Sequence, residues 1–85
     1  MDKNGRRFVY VLQSMRHPDR HYIGLTDDLR GRLTAHNNGQ SPQTAKHAPW
    51  RVQVVIQFSS DQVAARFEKF LKSSSGREFS RCHFE

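Results

Sequence analysis

The run FVYVLQS at residues 8–14 constrains the fold more than any other part of the chain. As a strand it sends Phe8, Tyr10 and Leu12 to one side and Val9 and Val11 to the other, so both faces are apolar. Such a strand has to be covered on both sides, which makes it the centre of its sheet. The chain has 85 residues, enough for one small core and one domain over residues 1–85.

The other elements arrange themselves around that strand. RHPDR at residues 16–20 holds a Pro-Asp turn ahead of HYIGLT at 21–26, which predicts an antiparallel hairpin. TDDLRGRLTAHNNG begins with Asp27 or Asp28 as a cap, repeats Leu29 and Leu33 at helical spacing, and stops at Asn37, Asn38 and Gly39. Gln40 to Trp50 has no period and reads as a basic loop. In WRVQVVIQF, Val52, Val54, Ile56 and Phe58 alternate with Gln53, Val55 and Gln57, which predicts a third strand with one wetter face, at a sheet edge. Ser59 and Gln62 fit a capping box for a helix whose stripe is Val63, Ala64, Phe67, Phe70 and Leu71, running to about Lys72. SSSGREFSRCHF predicts a short last helix capped by Ser75 and anchored by Phe79 and Phe84. The fold class is α/β (α+β): a three-stranded antiparallel sheet of order 2-1-3 with two or three helices, β-β-α-β-α(-α).

Tyr10 and Tyr22 sit in the two hairpin strands, where valine or isoleucine would fill a core more simply. A buried tyrosine hydroxyl needs a hydrogen-bond partner, so the pair predicts a polar site at the sheet surface. The chain also carries 14 Lys+Arg against 8 Asp+Glu, a net charge of +6. That excess predicts a polyanionic partner, with nucleic acid ahead of mere solubility. Mean hydropathy is −0.82, and no apolar run approaches the roughly 20 residues of a membrane span. Cys82 is the single cysteine, and MDKNGRRFVY lacks the apolar stretch of a secretory signal. The expected location is therefore cytoplasmic. His17, His21, His47 and His83 show no metal spacing with Cys82, so no zinc is expected.

Arg32 and His36 lie four residues apart on one face of the first helix, beside the Leu29 and Leu33 stripe. Arginine forks onto phosphate oxygens, and histidine exchanges a proton near neutral pH. Taken alone, such a pair belongs more often to a solvated helix face. The ordered set changes that: FVY with Tyr10, YIG with Tyr22 and Gly24, DLRGRLTAHN with Arg32 and His36, and AARFEKFLK with Glu68. Together these resemble the GIY-YIG nuclease superfamily over almost the whole chain. Its small single-domain members also carry TK and PW pairs before the third strand, as Thr44, Lys46, Pro49 and Trp50 do here, and SGREF at 75–79 is similar to a tail in the same subgroup. The departures are FVY for GIY, which keeps the tyrosine, and no counterpart of an asparagine that some members place after the glutamate.

The resemblance implies a metal-dependent endonuclease that hydrolyses phosphodiester bonds in DNA or RNA, with DNA ahead of RNA. Its catalytic residues would be Tyr10, Tyr22, Arg32, His36 and Glu68. Glu68 would hold a single Mg²⁺ or Mn²⁺, and one carboxylate suffices for a cation that keeps its waters and takes phosphate oxygens. Arg32 would stabilise charge developing on the phosphate. Tyr10 and Tyr22 would position the attacking water, and either is open as the base. Gly24, Thr44, Lys46 and Arg51 would contact nucleic acid. Glu68 also reads as half of an exposed pair with Lys72. The alternative function is a nucleic-acid-binding module on the same fold that does not cleave, or cleaves only with a partner. Neither a membrane nor a protein partner is indicated by these residues.

Overall fold

A computed structural model describes residues 7–85; of the charged start read above, residues 1–6 lie outside the described residues. β1 (Phe8–Ser14) pairs antiparallel with β2 (His21–Thr26) on one side and with β3 (Trp50–Gln57) on the other, giving the order β2-β1-β3. Val9, Tyr10, Val11 and Leu12 are all buried. The two-sided apolar pattern of β1 is thus satisfied from both faces, which is why β1 takes the middle position.

One face of the sheet holds Val9 and Val11 against Ala64 and Leu71 of α3 (Asp61–Leu71), with Ile23, Leu25, Val54, Phe58, Phe67, Phe79 and Phe84 around them. The other holds Tyr10, Leu12 and Trp50 with Tyr22 and Val52, closed by Leu29 and Leu33 of α1 (Leu29–Asn37). Asp28 caps α1 by accepting from the Gly31 amide, and its own amide donates to Thr26 Oγ1 at the end of β2. That coupling fixes where α1 leaves the sheet.

The third strand departs from its sequence pattern. Val11 faces Val54 while Leu12 faces Val52, so Gln53 is the extra residue of a β-bulge. The bulge turns Trp50 and Val52 toward the tyrosine face and leaves Val54 and Phe58 on the other. Even-numbered residues that alternation assigns to one face therefore divide between two.

Three further expectations are corrected. The segment 40–50 contains a single helical turn, α2 (Pro42–Ala45). Its ends are tied together: Trp50 N donates to Asn37 Oδ1 (2.6 Å), and Asn37 Nδ2 donates back to Trp50 O (3.2 Å). The cap of α3 is Ser60, which accepts from the Val63 amide, not Ser59. Val63 and Phe70, 39% and 38% exposed, sit at the rim of the apolar stripe. The last helix, α4 (Ser74–His83), is ten residues long and is capped by Ser73 instead of Ser75. α4 crosses the end of α3 backbone to backbone at Gly76, where a Cβ would lie 1.9 Å from Phe70 O. Phe79 then packs against Phe67, Phe70 and Phe84.

Candidate active site

Tyr10 points from the middle of β1 onto the α1 face, opposite Gly24 in the β2 register. A Cβ at Gly24 would sit 2.3 Å from the Tyr10 hydroxyl. The glycine makes room for the phenol from inside β2. It was expected to contact nucleic acid; its structural role here is to seat Tyr10.

The Tyr10 hydroxyl meets His36 Nε2 at 3.2 Å, and His36 Nδ1 meets Thr44 Oγ1 at 2.8 Å. Tyr10, His36 and Thr44 are each 1% exposed. Thr44, expected at a nucleic-acid surface, is thus an internal partner of His36. Its hydroxyl donates to Ser41 O (3.3 Å) and therefore accepts from Nδ1–H of His36. This assignment leaves Nε2 as an acceptor for the Tyr10 proton. Trp50 Nε1 donates to Thr44 O (2.9 Å) and holds α2 in place.

Electrostatics agree with a neutral ring. Burial, aided by the Arg32 guanidinium, pulls the His36 pKa below the ordinary histidine value, so the ring is neutral at pH 7. Burial also lifts the Tyr10 phenol above its usual range, although Arg32 and Lys72 oppose the lift. The phenols in turn, Tyr10 first, keep the Arg32 guanidinium still more firmly protonated. Tyr22 closes the group, its ring 4.6 Å from His36 and 6.3 Å from Tyr10.

Arg32, exposed on α1, faces this group from one side. Glu68 approaches from α3 with its side chain 19% exposed, and its carboxylate meets Lys72 Nζ at 2.5 Å. The ion pair anticipated from spacing is therefore present, with Glu68 the more buried partner, and Lys72 lines the same cleft as Tyr22. Lys46 and Arg51 are exposed elsewhere: Arg51, on the edge strand β3, bonds Gln13 of β1, and Lys46 follows α2 beside His47. The structure groups Tyr10, Tyr22, His36 and Arg32 and leaves those two apart, while Glu68 lies on α3 in its pair with Lys72. Sequence reasoning paired Lys72 with Glu68 from their i,i+4 spacing but did not place it on the cleft that Tyr22 lines.

A family model described as GIY-YIG catalytic domain matches residues 6–81. The chain belongs to the GIY-YIG family. Comparison with curated proteins and with solved structures found no match. In this GIY-YIG domain the two tyrosines and the helix arginine come from three different elements and lie together, and the glutamate stands on a fourth, α3. The family is one of nuclease domains that generally use a divalent metal. Among the described residues no three His, Cys, Asp or Glu side chains are grouped to cage an ion. A single part-exposed carboxylate, Glu68, nevertheless fits a hard cation completed by water and phosphate oxygens.

Proposed function

We propose that this chain is a metal-dependent endonuclease acting on nucleic acid, DNA ahead of RNA, in the cytoplasm. The observation that carries the reading is the Tyr10 hydroxyl set against a neutral His36 whose acceptor nitrogen faces it. A phenol alone is a poor base at pH 7. Tyr10 has an acceptor behind it: it would take the proton of an attacking water while passing its own to His36 Nε2. Tyr22, half-buried against the His36 ring, would orient that water. Arg32, always charged and planar, would hold the non-bridging phosphate oxygens as their charge grows. Glu68 would hold the divalent cation, which when bound supplies Lewis-acid neutralisation of the phosphate. Lys46 and Arg51 would contact nucleic acid outside this cluster through their exposed charge, whereas Gly24 and Thr44 serve by seating Tyr10 and His36.

The second reading, a binding module without cleavage, is favoured by one observation: Lys72 already neutralises Glu68. Glu68→Gln separates the two. On the nuclease reading the variant folds, loses cleavage of labelled duplex, single-stranded and branched substrates in Mg²⁺ or Mn²⁺, and loses thermal protection by the metal. Its binding in EDTA holds or tightens, because a negative charge has left the phosphate site. A folded variant that cleaves at the parent rate excludes Glu68 as an essential metal ligand, and a parent that binds without cleaving any of the three substrates establishes the second reading.

A further inference from the structure

Beside Tyr22 an open cleft of about 810 Å³ runs between the β1–β2 turn and α4. Tyr22 and Lys72 line it, so it starts at the catalytic cluster and leads away from it. Arg20 stands on the turn side and Arg77 and Arg81 on the α4 side, against two carboxylates, Asp19 and Glu85. Lys72 is engaged by Glu68 and Arg81 by Glu78. Arg20 and Arg77 have no acidic partner among the described residues. One uncommitted guanidinium therefore stands on each wall.

The fold builds this placement. Gly76 lets α4 lie directly on the last turn of α3, and Phe79 and Phe84 hold its apolar side in the core. Arg77 and Arg81, four residues apart, then share the side turned to the cleft. Without the close crossing at Gly76, the α4 wall would stand away from Lys72 and the cleft would not join the site.

We propose that this cleft takes an unpaired strand continuing from the scissile phosphate, with Arg20 and Arg77 each neutralising a phosphate from opposite walls. A groove with cations on both sides and an aromatic ring at its head suits a single strand, whose backbone enters and whose bases reach the ring. A duplex meets a protein through the outside of its backbones and would rest across the rim. The proposal rests on the nuclease reading and refines it: the preferred substrate is a duplex that ends in, or branches into, single strand at the cleavage point.

The test compares a duplex carrying an unpaired tail, on either strand end, with a blunt duplex. Binding is measured in EDTA over a range of salt, for the parent, for the double variant Arg20→Ala/Arg77→Ala, and for Arg66→Ala, an exposed α3 cation outside the cleft. The parent should prefer the tailed substrate. The double variant should lose roughly 1.4 from the log–log salt slope on that substrate, about 0.7 for each single-strand phosphate released, and less on the blunt one. Arg66→Ala should keep the parent's difference between substrates. A double variant with the parent's slope on the tailed substrate, or an equal loss on both substrates, overturns the proposal. Cleavage of the same substrates in Mg²⁺ keeps the two readings apart: cleavage with an unchanged slope sinks the cleft alone, whereas the predicted slope loss without parental cleavage sinks the nuclease and leaves the groove.

Discussion

At the scale of single residues, the site is an arrangement of protons and fixed charge. Arg32→Lys keeps a positive charge but loses the planar fork, so cleavage should fall by more than tenfold while binding in EDTA changes little; a variant cleaving like the parent would reduce Arg32 to a solvated helix residue. His36 makes a separate prediction. Its folded pKa lies below the unfolded value, so its contribution to stability is complete above about pH 6.5 and is lost as pH falls toward the lowered value. His47 is shifted the same way, by desolvation and then by Arg20, and adds to the acid side. Melting temperature should therefore be flat above that pH and decline below it, with a shallower decline in His36→Asn. The identity of these residues was legible in the sequence, but their partners were not. Thr44 looked like part of a basic loop because a hydroxyl eight residues beyond His36 carries no periodic signal; only the turn at Pro42–Ala45 brings it back.

Among the elements, strand order and the end of α1 follow from pattern and cap chemistry, and the structure has them; of the two caps the sequence left open, Asp27 and Asp28, it uses Asp28. The bulge at Gln53 could not be read, since it belongs to the pairing of β1 with β3 and the sequence of β3 alternates as if no residue were extra. The length of α4 was also hidden, because three adjacent serines offer three equivalent caps and only packing on α3 selects Ser73. Two glycines test how the elements meet. Gly→Ala inside a helix ordinarily stabilises by up to about 1 kcal/mol. Gly76→Ala should do the opposite, because the new methyl would meet the Phe70 carbonyl and the Leu71 Cα, neither of which can yield without moving α4. Gly24→Ala should cost about 1–3 kcal/mol by overpacking against the Tyr10 ring, and should break its bond to His36. Urea denaturation measures both, and an unchanged midpoint in either variant contradicts the close approach described for it.

For the whole molecule, the excess of positive charge acts over the surface instead of at one residue. Nucleic-acid affinity should weaken steeply between about 50 and 200 mM salt, because basic side chains release counterions from phosphates; a flat profile would remove the electrostatic basis of binding. The family was visible from the ordered tyrosines, arginine, histidine and glutamate, since their order and spacing can be read along the chain without the fold. The cleft was not visible, because Arg20 and Arg77 are far apart in sequence and become neighbours only when the hairpin turn and α4 flank the same edge.

Asn37 gives Trp50 the two hydrogen bonds that a neighbouring peptide unit would give. Its amide works as a clasp that closes residues 38–49 into a ring with fixed ends. The ring's circumference is then free to change without disturbing α1 or β3, provided that Thr44 still reaches His36. Extra residues spliced in just after Gly39, where the chain already takes a positive φ, would lengthen the ring and leave the Tyr10–His36 pair in register. The clasp thus marks a place where the molecule can be enlarged, and new recognition grafted, without disturbing the Tyr10–His36–Thr44 hydrogen bonds.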